Sequence, residues 1–173
     1  MDLRAALIQR LDEARAGLES VLPRVDPARQ IYPNWTLKQM LDHIAGWDDA
    51  VVASLHAHMN GSVSATPADR GIDFYNAETV TTREIIDFGQ TVREFHASRH
   101  LLKQAILSMS DEKIAQPLTV PWGSTGTVSE IIEVFADHEE IHTSDILRWL
   151  QNPEQIIIDR KGKIPIPKQA PTR

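Results

Sequence analysis

The chain has 173 residues, 42% hydrophobic and 24% charged, with a formal net charge of −6 and no cysteine. That length suits one domain with a sizeable core. The negative balance, with no basic-aromatic cluster, argues against a nucleic-acid partner, and no apolar run approaches the roughly 20 residues of a membrane helix. Without cysteine there are no disulfides, thiolate ligands or cysteine nucleophile, so a metal must be held by His, Asp or Glu and thiol chemistry needs an external thiol.

The first predicted helix covers residues 2–22. Leu3, Leu7, Leu11, Ala14, Leu18 and Val21 fall on one stripe, and Pro23 ends it. This segment carries charges of both signs and lacks the uninterrupted apolar core of a signal peptide, so the expected location is cytoplasmic. The second helix covers 36–60: Thr36 and Gln39 form a capping box, Trp35 staples onto Met40, and Asn60-Gly61 stops it. The third covers 81–110, with Thr81 and Glu84 as capping box and Val80 and Ile85 as staple. Its stripe runs Ile85, Phe88, Val92, Phe95, Arg99, Leu102, Ile106, Met109. The fourth covers 127–150, from the Thr127–Glu130 capping box to Asn152-Pro153. No strand pattern competes seriously; residues 156–158 are three isoleucines that prolines soon follow. Residues 151–173 read as a basic, Pro-rich extended tail.

Four long amphipathic helices within residues 1–150 predict an all-α four-helix bundle. Residues 61–80 exceed what a tight turn requires, and twenty residues can cross the roughly 35 Å length of such a helix. Helices 2 and 3 then run parallel through a crossover, and helices 2 and 4 antiparallel.

The chemistry-bearing pattern lies on the fourth helix. Val128, Ile131, Phe135, His138, His142, Asp145 and Trp149 follow one three-four stripe, so three polar residues interrupt a core seam. Two histidines four apart with a carboxylate one turn on, aimed inward, point to a metal site. His43 on the second helix is the third nitrogen. It lies roughly 10 Å from the start of its helix and His142 roughly 12 Å from the end of its own, heights that match when the two are antiparallel. The plain alternative is histidines hydrogen-bonded at the border of the core.

The segment Trp35–Trp47 (WTLKQMLDHIAGW), with the form W-[ST]-x-x-x-x-L-x-H-I-x-x-W, and the segment His138–His142 (HEEIH) resemble the DinB/YfiT-like superfamily across residues 2–150. The resemblance implies an up-down-down-up bundle, often dimeric. It also implies a divalent metal, zinc or nickel, on the positions matching His43, His138 and His142. The activities it implies are thiol-dependent S-transfer or isomerisation with a low-molecular-weight thiol cosubstrate, hydrolysis, or neutralisation of a reactive small molecule.

Other residues carry open alternatives. Asp145 is a fourth ligand, an acceptor that orients an imidazole, or the partner of Arg99 in a buried ion pair. Glu139 is a base near the metal or a solvent-facing glutamate. Trp47 and Trp122 wall a pocket or pack the core, and Asn76, in Phe74–Glu78, contacts substrate or caps a short helical turn. His96 and His100 share the i, i+4 spacing, but the stripe position is Phe95 and the cation of Arg99 beside them disfavours a divalent ion; His56 and His58 lie near a helix end and read as surface residues. The resulting expectation is a metal-dependent enzyme acting on a small electrophilic molecule, by thiol transfer or hydrolysis. Its alternative is a non-catalytic binding, sensing or sequestering protein.

Overall fold

The computed structural model describes residues 2–154 and Ile156; the expected tail beyond, and the rest of the isoleucine run, lie outside the described residues. In chain order the elements are α1 (Leu3–Val21), β1 (Gln30–Tyr32), β2 (Trp35–Thr36), α2 (Leu37–Asn60), α3 (Ile72–Thr81), α4 (Phe88–Ser108), α5 (Asp111–Ala115), β3 (Leu118–Thr119), β4 (Thr125–Gly126) and α6 (Val128–Gln151). The four long helices form an all-α bundle. Two small antiparallel hairpins that no strand periodicity announces, β1–β2 and β3–β4, lead into α2 and α6. Among the described residues no helix is long and apolar enough to cross a membrane.

Helix boundaries follow their caps. The Asp2 carboxylate accepts the Arg4 N–H at the head of α1. The Thr36–Gln39 and Thr127–Glu130 capping boxes both form. Gly61 closes α2 in the left-handed region at φ 60°, where glycine carries no Cβ penalty.

The third predicted helix requires correction. Thr81 ends α3 instead of opening a helix, residues 82–86 turn, and α4 starts at Phe88. Asp87 is the cap: its Oδ1 accepts the Gln90 N–H at 2.7 Å. Ile85, expected to staple, is 94% exposed, and Val80 is buried from α3. The crossover therefore holds a ten-residue helix where the sequence pattern indicates only a loop.

Side-chain contacts set the helix directions. Asp42 meets Thr91, Asp48 meets Ser98 and Arg99, and Met59 meets Ser108, so α2 and α4 run the same way. Arg10 meets Asp137 and Arg15 meets Glu139, giving α1 and α6 a common direction. His43 faces His138 while Trp47 faces Phe135, so α2 opposes α6. The core divides along the bundle. One end packs Trp47, Leu55, Leu102, Ile106, Ile131 and Phe135, and the other Tyr32, Trp35, Leu41, Phe95, Ile146 and Trp149.

Helix α3 lies directly on α2 at Gly46. A Cβ there would fall 2.3 Å from Thr79 Cγ2 and 2.6 Å from Thr79 Cβ. Gly46→Ala is therefore expected to destabilise the protein by about 1–3 kcal/mol through overpacking, despite alanine's better helix propensity. Urea denaturation measures this, and Gly46→Ala combined with Thr79→Ser should recover part of the loss.

Candidate metal centre

Three imidazoles converge between α2 and α6. His138 Nε2 lies 3.0 Å from His43 Nε2 and 2.9 Å from His142 Nε2. The three residues form a group whose donor atoms all lie within 4.8 Å of one another, and their exposures are 0% for His43, 1% for His138 and 0% for His142. The i, i+4 spacing on α6 and the antiparallel approach of α2 bring them together, as their helix positions predict. His96 is exposed beside Glu19, His100 and His56 are exposed, and His58 Nε2 donates to the Lys113 carbonyl at 2.8 Å; none of these joins the group.

Hydrogen bonding alone serves this arrangement poorly. An imidazole nitrogen has a single in-plane position, holding either a hydrogen or a lone pair. His138 Nε2 faces two other ring nitrogens, and one directed hydrogen or lone pair serves only one of them well. A cation among three lone pairs serves all three. Ligand nitrogens on a tetrahedral zinc ion lie about 3.3 Å apart, given bonds of about 2.0–2.1 Å. The two spacings to His138 Nε2 are within a few tenths of an ångström of that value, and all three donors lie within 4.8 Å of one another, so the donor set fits a divalent ion.

Burial holds the His43 and His142 rings neutral, well below the usual histidine range. The charge that His138 would carry pushes both further down, as does that of His142 for His43. With depressed folded-state values, the unfolded chain binds more protons below about pH 6.5. Stability is thus complete above about pH 6.5 and declines as pH falls through that value, by up to ~1.4 kcal/mol per pH unit for each ring. Urea midpoints of metal-stripped protein between pH 7.5 and 5 measure this slope.

The β1–β2 hairpin covers the histidines from one side. Its Tyr32 hydroxyl lies 2.7 Å from His142 Nδ1 and donates to Asp145 Oδ2 at 3.0 Å, and the Trp35 ring packs on His43 with centroids 4.7 Å apart. Sequence reasoning missed Tyr32, which sits in a short hairpin where no helical period points inward. Asp145 stands outside the histidine group and reaches His142 through Tyr32. Its other oxygen accepts from Arg148 at 2.9 Å, so Arg148 takes the place expected of Arg99.

On the far side of His43 lies an aromatic cluster. Trp47 is fully buried, packs against Tyr75, Trp122 and Phe135, and donates from Nε1 to Asn76 Oδ1 at 2.8 Å. Asn76 therefore anchors α3 to α2 from within the helix and does not cap it. Trp122 Nε1 is buried with no hydrogen-bond partner among the described residues. Its side chain comes from the β3–β4 turn.

Glu139 is 1% exposed, which corrects the solvent-facing alternative. Its carboxylate accepts from Arg15 Nη2 at 2.7 Å and from Arg99 Nη2, while Arg99 also grips Asp48 at 3.0 and 3.1 Å and Arg15 reaches Asp48 at 3.1 Å. Each of α1, α2, α4 and α6 contributes one member to this buried, charge-balanced set. A carboxylate committed to two guanidinium groups is an ion-pair partner, and the geometry lends no support to a base role for Glu139.

Comparison with known proteins agrees with this architecture. No curated protein is similar in sequence. The crystal structure of a mycothiol-dependent maleylpyruvate isomerase superposes with a TM-score of 0.67 at 19% identity, covering 84% of this chain and 63% of that one. This chain thus spans under two thirds of that enzyme's length. The structure described as Sibling Lethal Factor Precursor, DfsB, gives a TM-score of 0.73 at 14% identity over 90% of this chain and 99% of its own. An uncharacterised protein from Escherichia coli UTI89 gives 0.72 at 14% identity, over 89% and 96%. At these identities the likeness establishes the fold. The sequence profile of the DinB superfamily matches residues 10–146, which hold all three histidines, and the chain belongs to that superfamily.

Proposed function

We propose that this protein is a divalent-metal-dependent enzyme acting on a small electrophilic molecule, with His43, His138 and His142 as the ligands and zinc or nickel as the ion. The observation that carries this reading is the convergence of three buried Nε2 atoms from two helices. When bound, a divalent ion held by three neutral imidazoles keeps its full charge and supplies Lewis acidity that activates a water or a thiol for attack. The chain's own residues orient the ligands and exclude bulk water, and the buried Trp47 packs edge-on against His43 with Trp122 and Phe135 against it. With no cysteine in the chain, a thiol enters as a small cosubstrate. The likeness to a mycothiol-dependent isomerase favours thiol transfer over hydrolysis. A homodimer in the cytoplasm is the accompanying proposal, drawn from the family resemblance and from the sequence.

The test is thiol consumption and product formation with a panel of small electrophiles, comparing zinc- or nickel-loaded protein with chelator-stripped protein. Metal-dependent thioether or isomer formation supports transfer, and turnover without thiol supports hydrolysis. One observation favours a second reading, a non-catalytic protein that binds a reactive small molecule: the three imidazoles are sealed by their neighbours. That reading predicts stoichiometric binding without turnover.

A further inference from the structure

We propose that Tyr32 is the positioning residue of this centre, fixing the tautomer and heading of His142; the role rests on the metal reading above. The Tyr32 hydroxyl has one proton and lies close to both Asp145 Oδ2, at 3.0 Å, and His142 Nδ1, at 2.7 Å. A carboxylate oxygen only accepts, so the proton goes to Asp145 and the phenol oxygen accepts from the His142 Nδ1–H. A hydrogen on Nδ1 leaves the lone pair of the neutral ring on Nε2, the atom that faces His138 at 2.9 Å. Arg148 on the other oxygen of Asp145 supplies a counter-charge and holds that carboxylate in place. Tyr32 is 0% exposed, which limits competition from solvent. The hairpin therefore does more than cover the site. It selects which nitrogen of His142 is available, and it links a loop element to two residues one turn apart on α6.

Outer partners of ligating histidines typically contribute 10–100-fold to metal affinity. Tyr32→Phe keeps the ring and removes only the hydroxyl. Zinc affinity, read by chelator competition at a temperature where both proteins are folded, is expected to weaken by about 10–100-fold. Tyr75→Phe, which removes a hydroxyl donating to the Gly46 carbonyl at 2.7 Å, should leave it within about twofold because that bond orients no ligand. Nitrogen-15 NMR of metal-stripped, histidine-labelled wild type should show His142 protonated at Nδ1, and the Nε2–H tautomer should gain population in Tyr32→Phe. If Tyr32→Phe does not fold, Asp145→Ala replaces it. That change frees the hydroxyl proton to turn towards Nδ1 and should shift the tautomer the same way. An Nε2–H His142 in wild type, or unchanged zinc affinity in folded Tyr32→Phe, overturns the proposal. Wild-type protein that binds neither zinc nor nickel overturns the metal reading and the Tyr32 role with it. The tautomer measurement tells that failure from a wrong hydrogen-bond assignment.

Discussion

Replacing His138 with alanine is expected to weaken zinc binding by more than about 100-fold, beyond the 10–100-fold typical of outer partners, while leaving the bundle folded. His138 sits at the middle of the group, its Nε2 facing both other ring nitrogens at 3.0 and 2.9 Å. Its removal leaves two donors on different helices. His43→Ala and His142→Ala should show the same loss. His96→Ala and His100→Ala, which share the i, i+4 spacing but lie exposed on α4, should bind zinc like wild type. Chelator competition with circular dichroism on the same samples separates lost affinity from lost fold. Comparable zinc affinity in all five variants would contradict a three-histidine centre.

Arg99→Ala should be the most destabilising single change in the bundle, at about 3–5 kcal/mol. It strips one guanidinium from two buried carboxylates, Asp48 and Glu139, at 0% and 1% exposure, and leaves Arg15 alone to balance both. Breaking such a set is costly because a buried charge loses its partner. Replacing the whole set with apolar residues of similar volume should cost far less, since the desolvation of all four groups disappears with their pairing. Urea denaturation of Arg99→Ala and of the fourfold apolar variant measures both. A loss below about 1 kcal/mol for Arg99→Ala would mean that water reaches the set and screens it.

The parts of this structure legible in the sequence are those where independent local signals agree. On α2 and α6 a capping box, an apolar stripe and a stop signal coincide, and the helices lie where those signals put them. The histidine group is legible for the same reason, since spacing and stripe both turn His138 and His142 inward. The start of α4 misleads because Thr81 and Glu84 have the form of a capping box while Asp87, six residues on, provides the actual cap. Single-residue capping signals recur often in polar loops, and only packing selects among them. Arg99 is the one cation on an otherwise apolar stripe, which marks a buried charge. Its partners Asp48 and Glu139, and the fourth member Arg15, come from other helices, and helical periodicity carries no information about such pairings. Tyr32 is the least legible of all, because a three-residue strand gives too short a pattern to show which face is buried.

Elemental mass spectrometry of untagged protein purified without added metal reads directly whether the three histidines hold an ion. It should be run beside the His43→Ala, His138→Ala and His142→Ala variants. The account predicts about one zinc or nickel ion per chain in wild type and none in any variant. Metal-free wild type that takes up no zinc or nickel on titration, with all three variants equally folded, would contradict it and leave a DinB-fold bundle with three core histidines.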